Sequence, residues 1–176
     1  MPDNVIYIIV IAVAIVLIFA TIALWASRYK KCPADKIMVI YGKVGKDKDG
    51  NIISARCIHG GAAFIMPVVQ AYAFLDLNIM RGEVNVRDGD KCVSGNFAVA
   101  ISTEQGVMQN AAERLLNLPR EEILELAKDI LMGQIRMLFE DGAEKKDFFE
   151  LLARNTETEL RKIGMWVVSF NFNITV

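Results

Sequence analysis

The sequence predicts an α+β fold in which one membrane-spanning helix precedes the folded domain. Three observations support this prediction: an uncharged apolar run over residues 5–25, several short strand-like segments between residues 37 and 101, and helical periodicity between residues 103 and 163. Strands followed by helices and one returning strand are typical of an α+β domain, whose sheet is mainly antiparallel.

The apolar run is long enough to cross a bilayer. Roughly 21 residues at about 1.5 Å of rise per residue give about 31 Å, against a hydrocarbon core of about 30 Å. We therefore predict an anchor helix over residues 5–26. Its lipid-facing side chains include Val5, Ile8, Val16 and Phe19.

The residues that flank the run indicate its orientation. Basic residues follow it, and positive charge beside a membrane-spanning helix is retained on the cytoplasmic side. Aromatic residues at the same end favour the headgroup level. The predicted interfacial residues are Trp25, Arg28, Tyr29, Lys30 and Lys31. The sequence thus predicts a cell-membrane protein with a short extracytoplasmic N-terminus (residues 1–4) and the bulk of the chain in the cytoplasm.

Two other interpretations of the apolar run were weighed. A cleaved secretory signal is disfavoured, because no basic segment precedes the run and no small-x-small site follows it before Arg28. A re-entrant hairpin that enters and leaves on one side stays open, since nothing in the residues excludes a shallow anchor. The prediction is therefore a single-pass or re-entrant anchor.

Composition restricts the function classes. The 176 residues carry 20 basic and 21 acidic side chains, well mixed, so no basic block favours a nucleic-acid partner. The three cysteines have no C-x-x-C spacing and fit free thiols in a reducing compartment. The single histidine, His59, has no neighbouring cysteine or carboxylate pattern, so neither a metal site nor a cofactor is predicted.

The first half of the domain has strand character. Asp, Asn and Gly over residues 47–51 predict a hairpin turn, and Asp88-Gly89-Asp90 predicts another. Alternation of apolar and polar residues marks half-buried strands on either side of the second turn. The predicted strands cover residues 37–41, 52–58, 62–65 and 72–77, then the segments around Val84 and Val86 and around Phe97, Val99 and Ile101.

The second half changes to helical periodicity. We expect Thr103 to cap a first helix with Ala111, Ala112 and Leu115 on its apolar face, and Pro119 to occupy the first position of a second helix that ends at Asp141-Gly142. The predicted apolar stripe of the second helix is Ile123, Ala127, Ile130, Leu131, Gln134 and Leu138. That of the third is Phe149, Leu152, Thr156, Leu160 and Ile163, before a stop at Gly164.

The last segment, residues 165–176, is predicted to be a long strand with one dry and one wet face. Trp166, Val168 and Phe170 would lie on the dry face, together with the alternate residues that follow them. Val167 is the one apolar residue on the opposite side of this pattern.

None of the motifs considered in the sequence matches a catalytic site. His59-Gly60-Gly61 resembles an oxyanion-hole segment, but the sequence has no G-x-S-x-G, and a tight turn explains it better. Asp47-x-Asp49 lacks the closing Glu of a calcium loop, and Gly42-x-x-Gly45 lacks the Lys-Ser/Thr of a P-loop. Carboxylate pairs on the helices lie among Lys and Arg, as on solvated helix surfaces. The expectation is a protein without enzymatic activity.

Cys32 is a candidate for covalent attachment of a lipid. A thiol near the bilayer edge, beside basic residues, is placed for S-acylation in a cell that has the enzymes. The pattern is permissive, and an ordinary free thiol explains it better.

Several segments together resemble a known family. Tyr29-Lys30-Lys31-Cys32-Pro33-Ala34-Asp35-Lys36, the His59-Gly60-Gly61-Ala62-Ala63-Phe64 segment, and Val107-Met108-Gln109-Asn110-Ala111-Ala112-Glu113-Arg114 resemble the SPFH (band 7) domain of flotillins. The resemblance continues through Glu122-Ile123 and Gly133-Gln134 to Glu159-Leu160 and Ile163-Gly164, and covers nearly the whole chain. It implies a linker over residues 27–36 and an SPFH domain over residues 37–176.

The resemblance also implies a function. Flotillins are membrane-anchored cytoplasmic scaffolds that assemble into large homo-oligomers and organise membrane microdomains, in bacteria often beside an NfeD-type membrane protein. Two features depart from the family. The segment from Leu138 to Lys146 is shorter than the usual linker. Flotillins also continue beyond the position of Val176 into an Ala/Glu-rich coiled coil, which leaves both a longer protein and a natural short form open.

Three function classes follow from these observations. The first is a self-associating scaffold that contacts the lipid bilayer and other copies of itself. The second is an accessory or regulatory subunit of a membrane protease or transporter complex. The third, a membrane-bound hydrolase, would require a reactive nucleophile such as Ser94 or Cys57.

Overall fold

The computed structural model describes residues 2–45, 55–89, 91–142 and 145–175. A long N-terminal helix, α1 (Pro2–Ala26), precedes an α+β body with antiparallel sheets, as the sequence predicts. The strands are β1 (Tyr29–Lys31), β2 (Lys36–Gly42), β3 (Ala55–His59), β4 (Ala62–Phe64), β5 (Gln70–Asp76), β6 (Met80–Asp88), β7 (Lys91–Ile101) and β8 (Met165–Thr175). The body helices are α2 (Val107–Arg114), α3 (Arg120–Glu140) and α4 (Lys145–Lys162).

The strands form three antiparallel sheets, with orders β1-β4, β3-β2-β5 and β6-β7-β8. Strand β2 is buried on both faces, because successive side chains of a strand point to opposite sides. Ile37 and Val39 pack into the main core, whereas Met38 and Ile40 pack into a second, smaller core with Cys32. One strand therefore joins the two cores of the body.

The main core lies between the β6-β7-β8 sheet and the helices. Strand β6 packs against α3, and β8 packs against α4. The buried side chains of this core include Val84, Val86, Val93, Phe97, Leu131, Ile135, Leu152 and Leu160. The opposite face of the sheet is polar, with Asn85 beside Ser94 and Ser94 beside Asn173.

The helix starts differ from the sequence-based expectation. Thr103 does not cap α2: the N-cap is Gly106, at φ 97°, and its backbone bends the chain into the helix without a side-chain hydrogen bond. Pro119 is the N-cap of α3 and not its first helical residue. Its carbonyl accepts a hydrogen bond from the Ile123 amide at 3.1 Å, so the proline still precedes the first turn. The stop of α3 at Asp141 and Gly142 is confirmed.

The apolar stripes of α3 and α4 are shifted slightly from those expected. In α3, Ile135 is buried, whereas the neighbouring Gln134 is only half-buried. In α4, Phe148 is buried at 2% exposure and Phe149 is 37% exposed, so Phe149 was the wrong choice for the buried face. Phe148 stacks on Phe139, with ring centroids 5.5 Å apart, and this contact fixes the rotation of α4 against α3.

A β-bulge in β8 explains the irregular position of Val167. Val99 pairs with Val167 and Ala98 pairs with Ser169, so Val168 is an extra residue between two pairs. The bulge reverses the alternation, and Val167 packs against the main core. Trp166 is 45% exposed, so its predicted place on the dry face is wrong.

Some predicted features lie outside the described residues. These are the hairpin turn over residues 47–51, the start of the second predicted strand at residues 52–54, Asp90 of the second turn, and Val176. The other predicted strands are confirmed. Residues 27–36, expected to be a linker, contain β1, which pairs with β4.

Candidate membrane-binding site

Helix α1 exposes its apolar side chains to its surroundings. Within it, residues Ile6–Ala26 are long and apolar enough to cross a membrane, and none of them is buried against the body. Ile8, Val16 and Phe19 are all about two-thirds exposed, at 66%, 65% and 69%. The side chain of Val5 lies outside the described part of the structure. An apolar surface of this size on one helix requires an apolar environment.

The C-terminal end of α1 is attached to the body by a short and well-bonded connection. Only Ser27 and Arg28 separate α1 from β1. The Arg28 amide donates to the Trp25 carbonyl at 3.1 Å, and the Ile65 amide donates to the Arg28 carbonyl at 3.1 Å. Because β1 then pairs with β4, with Tyr29 opposite Phe64, the base of the helix is fixed beside β4.

The loop that follows β4, residues 65–69, exposes apolar side chains beside the base of α1. Met66 is 53% exposed, Val69 is 42% exposed, and Val68 at the tip is fully exposed. Val68 also has φ 73°, a left-handed conformation that is strained for a β-branched residue. The loop therefore has an apolar, fully exposed tip with a strained backbone at Val68.

Gln70, the first residue of β5, and Lys43, directly after β2, hold this loop in place. The Gln70 side chain accepts a hydrogen bond from the Met66 amide at 2.9 Å and donates one to the Lys43 carbonyl at 2.9 Å. The Lys43 amide in turn donates to the Val69 carbonyl at 3.0 Å. Gly42, at φ 105°, permits this approach, since a Cβ there would lie 2.5 Å from the Val69 carbonyl oxygen. The loop is therefore fixed by the β2–β5 pair.

Together, α1 and the loop enclose a groove of about 540 Å³, which we call the membrane-proximal groove. From the helix side it is lined by Thr21, Leu24, Trp25 and Arg28. From the body side it is lined by Phe64, Met66, Pro67 and Val69. The Trp25 and Phe64 rings meet across it, with centroids 5.7 Å apart.

The predicted interfacial residues lie near this end of the body. Trp25 and Tyr29 are 70% and 58% exposed, and Arg28 and Lys31 are exposed as well. Lys30 is half-buried, and its ammonium lies 6.0 Å from the centre of the Tyr72 ring, within the range of a cation–π contact. Arg28 and Lys31 therefore present their charge to the surroundings, while Lys30 also packs on β5.

Cys32 is buried, with 8% exposure, in the second core. Its Sγ donates to the carbonyls of Lys36 and Ile58 at 3.2 and 3.3 Å. The thiol is thus directed into the body and away from a lipid surface. This position disfavours S-acylation of the folded chain, because the sulfur would first have to leave the core.

The candidate nucleophiles Cys57 and Ser94 lie in different sheets. Cys57, on β3, donates to the Met108 carbonyl at 3.6 Å and lies near Glu113; burial, and then that carboxylate, raise the pKa of the thiol to about 11. Ser94 is exposed on β7, and His59 is exposed on β3 in a different sheet. Within the described ranges, no group of three or more His, Cys, Asp or Glu side chains could hold a metal ion.

Comparison with known proteins gives one informative relative. The chain is 25% identical over 181 aligned residues to the flotillin-like protein FloT of Bacillus subtilis (strain 168). The alignment covers 93% of this chain but only 35% of the relative, so the chain spans about a third of that protein's length. No family profile matches the chain. This distant similarity agrees with the flotillin resemblance of the sequence and relates the chain to flotillin-like proteins.

Sequence reasoning found the helix and its basic flank but missed the loop. The sequence-based prediction gives no role to Met66 and Pro67, although they stand between two predicted strands and before two valines. An apolar Met-Pro-Val-Val segment in a turn, where polar residues are usual, was the available signal. The position of that segment beside α1 depends on the pairing of β1 with β4, and no local sequence pattern predicts this pairing.

Proposed function

We propose that this chain is a non-enzymatic, flotillin-like membrane scaffold. The observation that carries the proposal is the continuous apolar surface formed by α1 and the loop 65–69, held together by the Trp25–Phe64 contact. The similarity to flotillin-like FloT supports the same assignment at the level of the family. In this proposal the anchor holds the α+β body against the bilayer, where it organises membrane microdomains.

The proposed orientation places the body on the cytoplasmic face. The support comes from the basic residues Arg28, Lys30 and Lys31 directly after α1, since such charge is retained on that side. Protease added to sealed, right-side-out cells or spheroplasts tests it. The body should stay protected until the membrane is opened, and cleavage of the body in intact cells would contradict the cytoplasmic orientation.

Self-association is the second part of the proposal. Several large apolar side chains of the body are exposed on its helices and on β8, including Met137, Phe149 and Trp166, and such surfaces are common at protein contacts. Size measurement in mild detergent and crosslinking in native membranes test this part. Self-adducts support it, a strictly monomeric species at high concentration counts against it, and a dominant foreign partner would favour an accessory subunit. An NfeD-type partner follows only from the family resemblance, and co-purification would test it.

Membrane anchoring itself is tested by one substitution in α1. Val16→Arg puts a charge near the middle of the apolar run, at a cost of about 2.5–3.5 kcal/mol for insertion. Alkaline carbonate should remove a larger fraction of the variant from vesicles than of the unmodified chain or the matched Val16→Leu control, both of which should remain. Loss of the unmodified chain in the carbonate wash would refute the proposed function.

A further inference from the structure

We propose that the membrane-proximal groove binds one anionic phospholipid. One acyl chain of this lipid lies between α1 and the loop 65–69, and its phosphate pairs with Arg28. The inference rests on the proposed function, because it requires α1 to lie in a bilayer.

The lining of the groove suits an acyl chain. Leu24 and Trp25 supply apolar surface from the helix side, and Phe64, Met66, Pro67 and Val69 supply it from the body side. The hydroxyl of Thr21 already donates to the Ile18 carbonyl at 2.8 Å within the helix, so it offers no free donor to the groove. Water in this volume would find few partners, since an ordered water needs two to four polar groups.

The position of the groove along α1 favours a lipid over other apolar occupants. Its helix wall begins at Thr21, inside the residues Ile6–Ala26 that are apolar enough to span. From Thr21 to Trp25 the helix rises about 6 Å, so this wall lies at the edge of the hydrocarbon core. A cleft open to that region is in direct contact with acyl chains, which fill it unless another protein displaces them.

The charge of the groove selects an anionic headgroup. Arg28 is the only charged residue that lines it, and no acidic side chain is part of the lining. The ion pairs among the described residues do not include Arg28. Its backbone is held by hydrogen bonds with Trp25 and Ile65, which fixes the position of Arg28 at the C-terminal end of the helix wall. A guanidinium matches the oxygens of a phosphate in bidentate geometry better than an ammonium does.

Tryptophan quenching by brominated lipids tests the proposal on the full chain. The sequence has two tryptophans, so Trp166→Phe leaves Trp25, in the groove, as the only tryptophan, whose emission can be excited selectively over that of tyrosine. Two sets of vesicles have the same proportions of phosphatidylglycerol and phosphatidylcholine. In the first set, a small fraction of the phosphatidylglycerol is brominated and the phosphatidylcholine is not. In the second set, the same amount of phosphatidylcholine is brominated and the phosphatidylglycerol is not. Identical headgroup composition keeps the surface potential equal.

The expected result is preferential quenching by the anionic lipid. One cation beside an anionic headgroup should enrich brominated phosphatidylglycerol at Trp25 about fivefold over brominated phosphatidylcholine. Arg28→Gln should reduce this ratio to about one, because the variant lacks the charge that attracts the anionic headgroup. Lys31→Gln, which removes an exposed neighbouring charge outside the groove, should preserve it.

A second pair of variants tests occupation by the acyl chain. Val69→Phe fills the groove from the loop side and should lower the preference although Arg28 is intact. Val68→Phe, one residue away and outside the lining, should leave it unchanged. If Val69→Phe retains the full preference, the acyl chain does not lie in the groove and the inference is overturned.

The remaining outcomes distinguish failure of the lipid site from failure of the proposed membrane function. Equal quenching by both brominated lipids would overturn the lipid site and leave membrane anchoring intact. A preference that survives Arg28→Gln would also overturn it. Absence of quenching by either lipid in a chain that resists carbonate would mean that protein, from a second copy or another partner, covers the groove. Absence of quenching in a chain that carbonate removes would refute the proposed function as well.

Discussion

The indole ring of Trp25 packs on the phenyl ring of Phe64, with ring centroids 5.7 Å apart and an interplanar angle of 34°. The contact joins the last turn of α1 to the end of β4. Phe64 also lies opposite Tyr29 in the β1–β4 pair, so ring packing and backbone pairing act on the same residues. The anchor helix and the body thus have a defined contact and not only a covalent connection.

Phe64→Ala should loosen this contact without unfolding the body. An aromatic pair contributes about 0.5–1.5 kcal/mol beyond its buried area, so exchange of the β1 and β4 amides should rise roughly 2- to 10-fold. Hydrogen exchange on the full chain in micelles measures it. Phe74→Ala, which removes a comparable ring contact with Tyr72 in another sheet, is the control and should leave β1 and β4 unchanged.

The tip of the loop 65–69 should report an apolar environment in vesicles. With Cys92→Ser in the background, a Val68→Cys variant labelled with a polarity-sensitive fluorophore should show a blue-shifted emission when the chain is reconstituted, because Val68 is fully exposed and its neighbours Pro67 and Val69 line the groove beside α1. The same label at Glu125→Cys, on the exposed face of α3, should not respond. Equal emission at both positions would contradict contact of the loop with lipid.

Gly164 should not tolerate a side chain. It has φ 91°, and an added Cβ would overlap the backbone of Ala111 in α2. Gly164→Ala should therefore lower the free energy of unfolding by about 2–4 kcal/mol, from backbone strain and overpacking together. Gly133→Ala is the control, since a Cβ there meets nothing within 4 Å in the middle of α3. It should raise stability by about 0.5–1 kcal/mol. Denaturant titration of both variants in micelles measures the difference.

Cys57 should be alkylated slowly. Burial, and then the Glu113 carboxylate, raise its pKa from 9.0 to about 11, so near pH 8 it holds about a hundredfold less thiolate than an ordinary cysteine. Mass spectrometry after iodoacetamide treatment, with Cys92 as the internal reference, measures the rate. Glu113→Gln should increase the rate in part, because burial remains. Alkylation of Cys57 as fast as Cys92 in the folded chain would contradict the raised pKa.

The raised pKa of Cys57 also determines the direction in which the stability of the folded chain changes with pH. A thiol whose pKa is raised by folding favours the folded state as long as it is protonated in both states. This contribution is complete below the unfolded value near 9 and is lost as pH rises towards about 11. Cys57→Ala should therefore flatten the fall in stability over that interval, as measured by thermal unfolding at each pH.

Much of the fold could be predicted because its periodic signals are local. The alternation in β6 and β7, the helical period of α3 and the stop at Gly142 each arise from neighbouring residues, and each is observed. The start of α2 could not be predicted in this way. Thr103 fits a cap by residue type, but Gly106, with its positive φ, makes the actual turn into the helix.

The errors on β8 and α4 have a tertiary origin. Residue type alone places Trp166 on the dry face, but the extra residue Val168 reverses the alternation where β8 meets Val99. Between Phe148 and Phe149, adjacent and identical in type, only packing on Phe139 decides which one is buried. The groove was missed for the same reason, since its two walls are separated by about 40 residues in sequence and meet only after β1 pairs with β4.

The two-residue connection between α1 and β1 has a mechanical consequence. Both residues are tied down, Ser27 through its hydroxyl to the Leu24 carbonyl and Arg28 through its backbone, so no free joint separates rod from body. A long hydrophobic helix tilts when the surrounding bilayer becomes thinner. If α1 spans the bilayer as proposed, the body must lean with it, so the thickness of the surrounding membrane would set the angle at which the body lies against the lipid surface.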